Sequence, residues 1–253
     1  MVRGETGMKG TFYGLGVGPG DPELLTLKAH RILTEAAVVA YPAPDDGASF
    51  ARSIVARYLR EDQEEIAIVV PMRVDRFPAK AVYDQASERI RAQLDQGRDV
   101  AVLCEGDPFF YGSFMYLYER LAGDYPCQVV PGISSMMAAA TTLGRPLAAR
   151  NDVLTVVPAP LGDDAIRDVL ATASALTIIK VGRHLGRVRR LLGEAGWLER
   201  AYLLERVTLE DAERLRALSD CAEESAPYFS IILAYRGAER WIAELPLTVE
   251  EAP

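Results

Sequence analysis

Three segments of the chain combine glycine with aspartate, proline or serine directly after a short apolar run. They are 16–22 (GVGPGDP), 106–108 (GDP) and 130–135 (VPGISS). Glycine adopts backbone angles that are closed to other residues, and aspartate, serine and proline suit the first turn of a helix. A strand that enters a helix through such a turn presents backbone N–H groups to an anionic or nucleotide-like ligand. The segments therefore predict a ligand site at the carboxyl ends of strands.

The glycine spacing disfavours two common nucleotide-binding motifs. A dinucleotide fingerprint that begins at Gly14 and Gly16 needs a third glycine where the chain has Pro19. It also needs an acidic residue at the end of the second strand, where Tyr41 and Pro42 stand. A Gly-Lys-Ser or Gly-Lys-Thr phosphate loop does not occur in the sequence. Each turn taken alone is equally well interpreted as a plain turn with a helix cap.

Composition and charge narrow the classes of function. With 253 residues, of which 49% are hydrophobic, the chain can form one large domain or two of ordinary size. Its net charge of −8 argues against a nucleic-acid partner. The three cysteines, Cys104, Cys127 and Cys221, fit neither a metal-ligand spacing nor a disulfide framework. We therefore expect a cytoplasmic protein without a metal site.

The sequence gives no sign of a membrane partner. Residues 1–9 are polar, which predicts a short disordered leader rather than a signal peptide. No apolar run approaches the roughly 20 residues that are needed to span a membrane.

Apolar runs and amphipathic segments alternate five times in the first part of the chain. The predicted strands are 10–15, 36–40, 66–70, 100–103 and 127–130, and the predicted helices are 24–33, 50–59, 80–96, 109–121 and one from the 130–135 turn to near residue 144. This alternation predicts a parallel sheet with helices on both faces. Asp21 and Asp107 are the predicted caps of the helices that follow them.

The pattern changes after residues 145–152, where we place a boundary between domains 10–146 and 147–240. Beyond it, strands are predicted at 153–157, 175–181, 201–204 and 229–235, and helices at 163–171 and 185–195. The last strands follow each other without a clear crossover helix, which predicts a mixed sheet. The predicted fold class is therefore α/β, with a parallel-sheet N-terminal domain and a mixed-sheet C-terminal domain.

The three segments, in this order, resemble the signature motifs of the tetrapyrrole (class III) S-adenosylmethionine methyltransferases. The first motif extends to residue 29, and the resemblance covers about residues 10–237. Within the family, 106–117 (GDPFFYGSFMYL) is similar to the precorrin-2 C20-methyltransferases of cobalamin synthesis. The resemblance implies a two-domain fold, a homodimer, and S-adenosylmethionine bound in the cleft between the domains.

The resemblance also implies particular contacts with S-adenosylmethionine. They are Pro19 in the first loop, Gly106, Asp107 and Phe110 in the second, Ser134 and Ser135 at the start of the third helix, and Val181 and Leu203 in the second domain. Helix N-termini and hydroxyls suit the cofactor's carboxylate, whereas Asp107 suits its ammonium or ribose hydroxyls. Phe110 and Val181 suit the apolar adenine. Helix capping alone is the alternative role for Asp107.

The implied activity is methylation of precorrin-2 at C20 to give precorrin-3A. The same transfer to cobalt-factor II and a non-enzymatic tetrapyrrole-binding module remain open alternatives, and the acidic charge counts against an RNA-methylating member. Because precorrin-2 carries several carboxylates, Tyr111, Arg183 and His184 are candidate substrate contacts, although a solvated helix face explains the basic residues equally well.

The resemblance does not assign a catalytic residue. Related uroporphyrinogen methyltransferases carry an aspartate in a Tyr-Asp-Arg-Leu run after the second strand, where this chain has Tyr41-Pro42-Ala43-Pro44. Glu105 and Tyr111 flank the second loop and are candidates, but core or capping roles are the favoured interpretation.

Overall fold

The structure, a computed structural model, describes residues 8–70, 77–209 and 211–244. Internal contacts divide the chain into two compact units, one up to Ser134 and one from Ser135 onward. The division between 146 and 147 stays a prediction, and most of the predicted leader lies outside the described residues. Within the described ranges, no helix combines the length and the apolar surface needed to cross a membrane.

In the described part of the first unit, five strands form one parallel sheet in the order β3-β2-β4-β1-β5. They are β1 Phe12–Gly16, β2 Val38–Pro44, β3 Glu64–Val70, β4 Val100–Cys104 and β5 Cys127–Val130. Every residue of β4 is buried, because this strand lies between β1 and β2 and is covered on both faces. The register pairs Gly16 with Cys104, so β1 and β4 end side by side.

Helices cover both faces of this sheet, as predicted. They are α1 Leu27–Glu35, α2 Phe50–Val55, α3 Phe77–Leu94 and α4 Phe114–Leu121. Val102 packs with Ile90 and Leu117 on one face, whereas its neighbour Leu103 packs with Leu33 and Ile54 on the other. Successive residues of a strand point to opposite faces, so the continuous apolar run of β4 serves both layers.

The two Gly-Asp-Pro turns fold differently, and the first is predicted only in part: Asp21 precedes a helical turn as expected, but α1 begins at Leu27 with Thr26 as its N-cap. Asp21 caps a short 3-10 helix, since its Oδ1 accepts a hydrogen bond from Glu23 N at 2.8 Å. Asp107 does not cap α4, which begins at Phe114 rather than at the predicted residue 109. Tyr111 has φ +56°, a left-handed angle that interrupts a right-handed helix between the turn and α4.

The second unit contains a mixed sheet, which confirms the second part of the fold prediction. In its described residues the strand order is β6-β7-β10-β8-β9, with β6 and β7 parallel and the other pairs antiparallel. The strands are β6 Leu154–Pro158, β7 Ala175–Ile179, β8 Ala201–Glu205, β9 Arg214–Ala217 and β10 Ser230–Tyr235. The helices are α5 Ser135–Leu143, α6 Asp163–Thr172, α7 Leu185–Glu194 and α8 Arg240–Glu244. The edge strand β9 was not predicted, because its sequence RLRA is short and half polar.

Candidate functional site

The first two glycine loops are joined at the carboxyl ends of β1 and β4. Gly18 and Gly106 form an antiparallel bridge, in which Gly106 N donates to Gly18 O at 2.8 Å and Gly18 N donates to Gly106 O at 3.3 Å. Both residues have positive φ, +81° and +63°, which favours glycine at these positions. The two N–H groups are therefore used within the fold, contrary to the expectation that they face a ligand.

The third loop packs directly against the first two. A Cβ atom on Gly16 would collide with the backbone of Gly132, and one on Gly132 would collide with the carbonyl oxygen of Gly106. Real Cβ atoms cannot approach backbone atoms so closely, so Gly16 and Gly132 permit the three loops to meet. Gly132 is absent from the predicted contacts, although a glycine two residues after the end of β5 was the signal that could have identified it.

Asp107 ties the second loop to the third. Its Oδ1 accepts a hydrogen bond from Phe109 N at 2.9 Å, and its Oδ2 accepts one from Gly132 N at 3.0 Å. The carboxylate therefore stabilises both its own turn and the turn that follows β5. Each carboxylate oxygen can accept a second hydrogen bond, so Asp107 can still bind an ammonium or hydroxyl group of a ligand.

The other residues predicted in the first unit lie around this junction. Pro19 is buried next to Gly18. Ser134 is half-buried, and a Cβ on Gly106 would be in ordinary contact with its backbone at 3.8 Å. Phe110 is half-buried and packs edge-on against Tyr111, with ring centroids 5.0 Å apart. The structure thus brings Gly106, Asp107 and Ser134 together at one end of the sheet.

The predicted contacts in the second unit are more buried than expected. Ser135 begins α5 and is half-buried. Val181 and Leu203 are both 0% exposed and belong to one apolar core with Leu185. Leu203 also lies between β9 and β10 in the sheet. Cofactor contacts at Val181 and Leu203 therefore remain predictions. Such contacts would be made by the backbone atoms of these residues rather than by their side chains.

The candidate substrate contacts differ in their accessibility and charge. Tyr111 is 44% exposed and Arg183 is exposed, whereas His184 is half-buried at the start of α7. The pKa of His184 is lowered by burial and by the positive charges of Arg187 and Arg183. His184 therefore favours the neutral imidazole, which suits hydrogen bonding better than attraction of a carboxylate.

Arg187, which follows in the same basic segment, is engaged in the fold. It donates hydrogen bonds to a carboxylate oxygen of Asp163 at 2.6 Å and to the carbonyl oxygen of Leu161 at 2.9 Å. Asp163 also pairs with Arg190 at 2.9 Å. Arg183 is therefore a better candidate than Arg187 for binding a carboxylate of the substrate.

The chain is similar to known proteins of one family over most of its length. The family model of the tetrapyrrole (corrin/porphyrin) methylases matches residues 11–220. The chain is 39% identical over 232 residues to the precorrin-2 C(20)-methyltransferase of Sinorhizobium sp, with 88% of this chain and 94% of that protein covered. It is 32% identical over 228 residues to the cobalt-precorrin-2 C(20)-methyltransferase of Salmonella typhimurium, with coverages of 89% and 96%.

Another relative is about twice as long. The chain is 40% identical over 240 residues to the cobalamin biosynthesis protein CobIJ of Mycobacterium tuberculosis. The match covers 92% of this chain but only 47% of that protein, so the chain spans about half the length of this relative.

Solved structures show the same fold. The uroporphyrin-III C-methyl transferase of Thermus thermophilus, complexed with S-adenyl homocysteine, matches with a TM-score of 0.67 and 25% identity. The match covers 89% of this chain and 97% of that one. A cobalt precorrin-4 methyltransferase has a TM-score of 0.68 at 22% identity, and this likeness concerns the fold alone.

Proposed function

The chain belongs to the tetrapyrrole (corrin/porphyrin) methylases, and from this premise we propose that it transfers a methyl group from S-adenosylmethionine to C20 of precorrin-2, giving precorrin-3A in cobalamin biosynthesis. One observation carries the proposal: the Sinorhizobium relative, named for this activity, is 39% identical and is matched over 94% of its length. The Salmonella relative, named for transfer at the same carbon, supports it.

The residues at the loop junction fit S-adenosylmethionine. The close packing of Gly16, Gly106 and Gly132 lets three strand-end loops converge, and Asp107 keeps acceptor capacity on both carboxylate oxygens. The Asp107 carboxylate suits the cofactor's ammonium or hydroxyl groups, and the Ser134 hydroxyl suits its carboxylate. When bound, S-adenosylmethionine supplies a methyl group on a sulfonium. The Thermus neighbour, solved with S-adenyl homocysteine, supports this assignment.

In this reaction the main task of the chain is to position its substrates. A carbon nucleophile must be held in line with the methyl group at roughly 3–3.5 Å, because a direct displacement needs little acid catalysis. The carboxylates of precorrin-2 offer anchoring points, and we assign Arg183 to one of them because it is exposed and its neighbour Arg187 is engaged with Asp163. Tyr111 and His184 are proposed to bind the same substrate.

The metal-free tetrapyrrole is the proposed substrate, and a cobalt-loaded one is the alternative. The Salmonella relative, named for the cobalt form, favours the alternative, but the Sinorhizobium relative is more similar to this chain. We therefore propose to compare the formation of S-adenosylhomocysteine with precorrin-2 and with cobalt-factor II under identical conditions. We expect faster turnover of precorrin-2. Turnover of cobalt-factor II alone would instead show that the cobalt-loaded tetrapyrrole is the substrate.

We further propose that the protein is a cytoplasmic homodimer that needs no metal. We infer the dimer from the family resemblance, and we infer the cytoplasmic location from the scattered cysteines. Light scattering coupled to size exclusion should give twice the chain mass of 27.7 kDa. A mass of one chain at the concentrations used for activity would contradict the dimer, and loss of activity in a chelator would contradict the absence of a metal requirement.

A further inference from the structure

Two strands of the second sheet end at the same edge, and each is followed directly by an exposed basic residue. Strand β10 lies between β7 and β8 and is antiparallel to both, so β7 and β8 run in the same direction. Lys180 follows β7, Arg206 follows β8, and both residues are exposed. Because adjacent strands are about 4.8 Å apart, the ends of β7 and β8 are separated by roughly 10 Å.

Both basic residues have an unusual backbone conformation. The φ angles of Lys180 and Arg206 are +57° and +51°, in the left-handed region where a side chain raises the free energy of the backbone. Glycine adopts this conformation without that cost, and the chain has glycine two residues after Lys180, at Gly182 with φ +32°. Residues other than glycine that keep such angles are concentrated at ligand sites, which indicates a use for these two side chains.

An exposed aromatic residue lies between the two basic residues. The segment that precedes β10 is hydrogen-bonded on both sides: Ala226 N donates to Gly182 O at 3.0 Å, and Arg206 N donates to Phe229 O at 2.7 Å. Tyr228 lies in this segment and is 70% exposed. The edge therefore presents an aromatic ring with a basic residue on each side.

Two acidic residues near Arg206 are engaged with other groups. Glu205, the last residue of β8, is buried and pairs with Arg216 at 3.3 Å. Glu213 accepts hydrogen bonds from Thr208 N at 2.5 Å and from Thr142 Oγ1 at 3.2 Å. Among the residues that the structure describes, Arg206 forms no ion pair. Its positive charge is therefore available to an anionic ligand.

The same edge adjoins residues that are already assigned to the cofactor and the substrate. Lys180 directly precedes Val181, a predicted contact with S-adenosylmethionine, and Arg183 follows three residues after Lys180. A methyl acceptor must lie within reach of the cofactor. Precorrin-2 combines an apolar macrocycle with several carboxylates, so its chemistry matches an exposed aromatic ring between cations.

We propose that this edge binds precorrin-2, an inference that rests on the proposed function and adds three substrate contacts to Arg183. Lys180 and Arg206 each bind one carboxylate of the substrate, and Tyr228 contacts the macrocycle. The separation of roughly 10 Å between the strand ends requires two different carboxylates. Two anchors on one ring fix its orientation as well as its position, which direct methyl transfer to a single carbon requires.

A purely structural role for the two basic residues makes a different prediction. If the side chains served only the backbone turn, glycine would replace them without loss of binding. Lys180→Gly and Arg206→Gly remove the charge and suit the left-handed conformation, so the melting temperature should not fall. Lys180→Gln and Arg206→Gln remove the charge and keep a side chain. Binding of precorrin-2 should weaken equally in the glycine and glutamine variants, because the charge is what they share.

The test measures the binding of precorrin-2 by equilibrium dialysis, with S-adenosylhomocysteine in place of the methyl donor so that no transfer occurs. Lys180→Gln and Arg206→Gln should each raise the Kd about two- to fivefold, the range of one ion pair at an exposed site. The double variant should raise it about four- to 25-fold, because effects at separated sites multiply. These differences should shrink as salt is added.

Three controls accompany these variants. Arg150→Gln changes another exposed arginine with a left-handed φ, +48°, which pairs with Glu239 at 2.8 Å, and it should keep the wild-type Kd. Lys180→Arg and Arg206→Lys retain the charge and should bind more tightly than the glutamine variants. Tyr228→Phe should keep the wild-type Kd, whereas Tyr228→Ser should raise it.

The possible failures are separable. A wild-type Kd in the double variant, an equal loss in Arg150→Gln, or glycine variants that bind as tightly as wild type would overturn the site at this edge alone. Charge-dependent binding of precorrin-2 without any methyl transfer from S-adenosylmethionine would overturn the proposed function and support the site. A wild-type protein that does not bind precorrin-2 would overturn both.

Discussion

The carboxylate of Asp107 accepts a hydrogen bond from the backbone N–H of Gly132 at 3.0 Å, across 25 residues of chain. The other carboxylate oxygen of Asp107 holds the turn at Phe109. One side chain therefore fixes the relative position of two strand-end loops. In the proposed function these loops bind the methyl donor, so cofactor affinity and local stability should depend on the same carboxylate.

Asp107→Ala should weaken S-adenosylmethionine binding while the protein stays folded. The change removes two hydrogen bonds to a charged group, which costs roughly 2 kcal/mol of unfolding free energy after solvent compensation. Calorimetry and urea unfolding measure the two effects separately. Asp107→Asn should be intermediate in stability, because it keeps one acceptor oxygen of the two. Wild-type affinity in Asp107→Ala would remove Asp107 from the cofactor site.

Gly132→Ala should be strongly destabilising. Its Cβ would collide with the carbonyl oxygen of Gly106 and with Gly16, so the third loop must move away from the other two. We expect a loss of about 2–3 kcal/mol in unfolding free energy, the range of overpacking changes, together with weaker cofactor binding. Gly123→Ala is the matched control, since a Cβ there has no neighbour within 4 Å. Equal stability of the two variants would contradict the packing described for the loops.

The stability of Glu105→Gln relative to wild type should depend on pH in a defined direction. Because the pKa of Glu105 is raised above its ordinary value of 4.5, folding favours the protonated carboxyl. Its contribution to stability is full below about pH 4.5 and is lost as the pH rises through the folded-state pKa. The melting temperature of Glu105→Gln should therefore gain on that of wild type as the pH rises above about 4.5, the ordinary pKa of the group. A pH-independent difference would show that the carboxyl is not desolvated.

Arg183→Gln should weaken the binding of the tetrapyrrole without changing that of S-adenosylmethionine. Arg183 is exposed, and one ion pair with a substrate carboxylate at such a site is worth up to about 1 kcal/mol. The KM for precorrin-2 should rise about two- to fivefold at low salt, and the difference should shrink as salt is added. Arg167→Gln changes an exposed arginine of α6 in the same unit and should leave the KM unchanged. A wild-type KM in Arg183→Gln would favour the alternative interpretation, in which the basic residues form a solvated helix face and do not bind the substrate.

Apolar patterning predicted the sheets well because burial of strands leaves a strong local signal. β5 was predicted with its observed bounds, and β4 with one residue missing at its end. The edge strand β9 leaves no such signal, because two of its four residues are arginines and none of the four is fully buried.

The loops could be predicted as motifs but not as contacts. The same Gly-Asp-Pro sequence gives a cap at Asp21 and a link between loops at Asp107, because the partner of Asp107 is supplied by Gly132 from a different strand end. Local sequence patterns do not encode such pairings, so the sequence placed these residues near a site without assigning their partners.

The most direct test of the account is the position of the transferred methyl group. Precorrin-2 is incubated with the protein and with S-adenosylmethionine that carries ¹³C in its methyl group, and the product is examined by NMR. A single new ¹³C methyl resonance on C20 is expected, with one S-adenosylhomocysteine formed for each product. A labelled methyl group on any other ring carbon, or on a carboxylate, would contradict it.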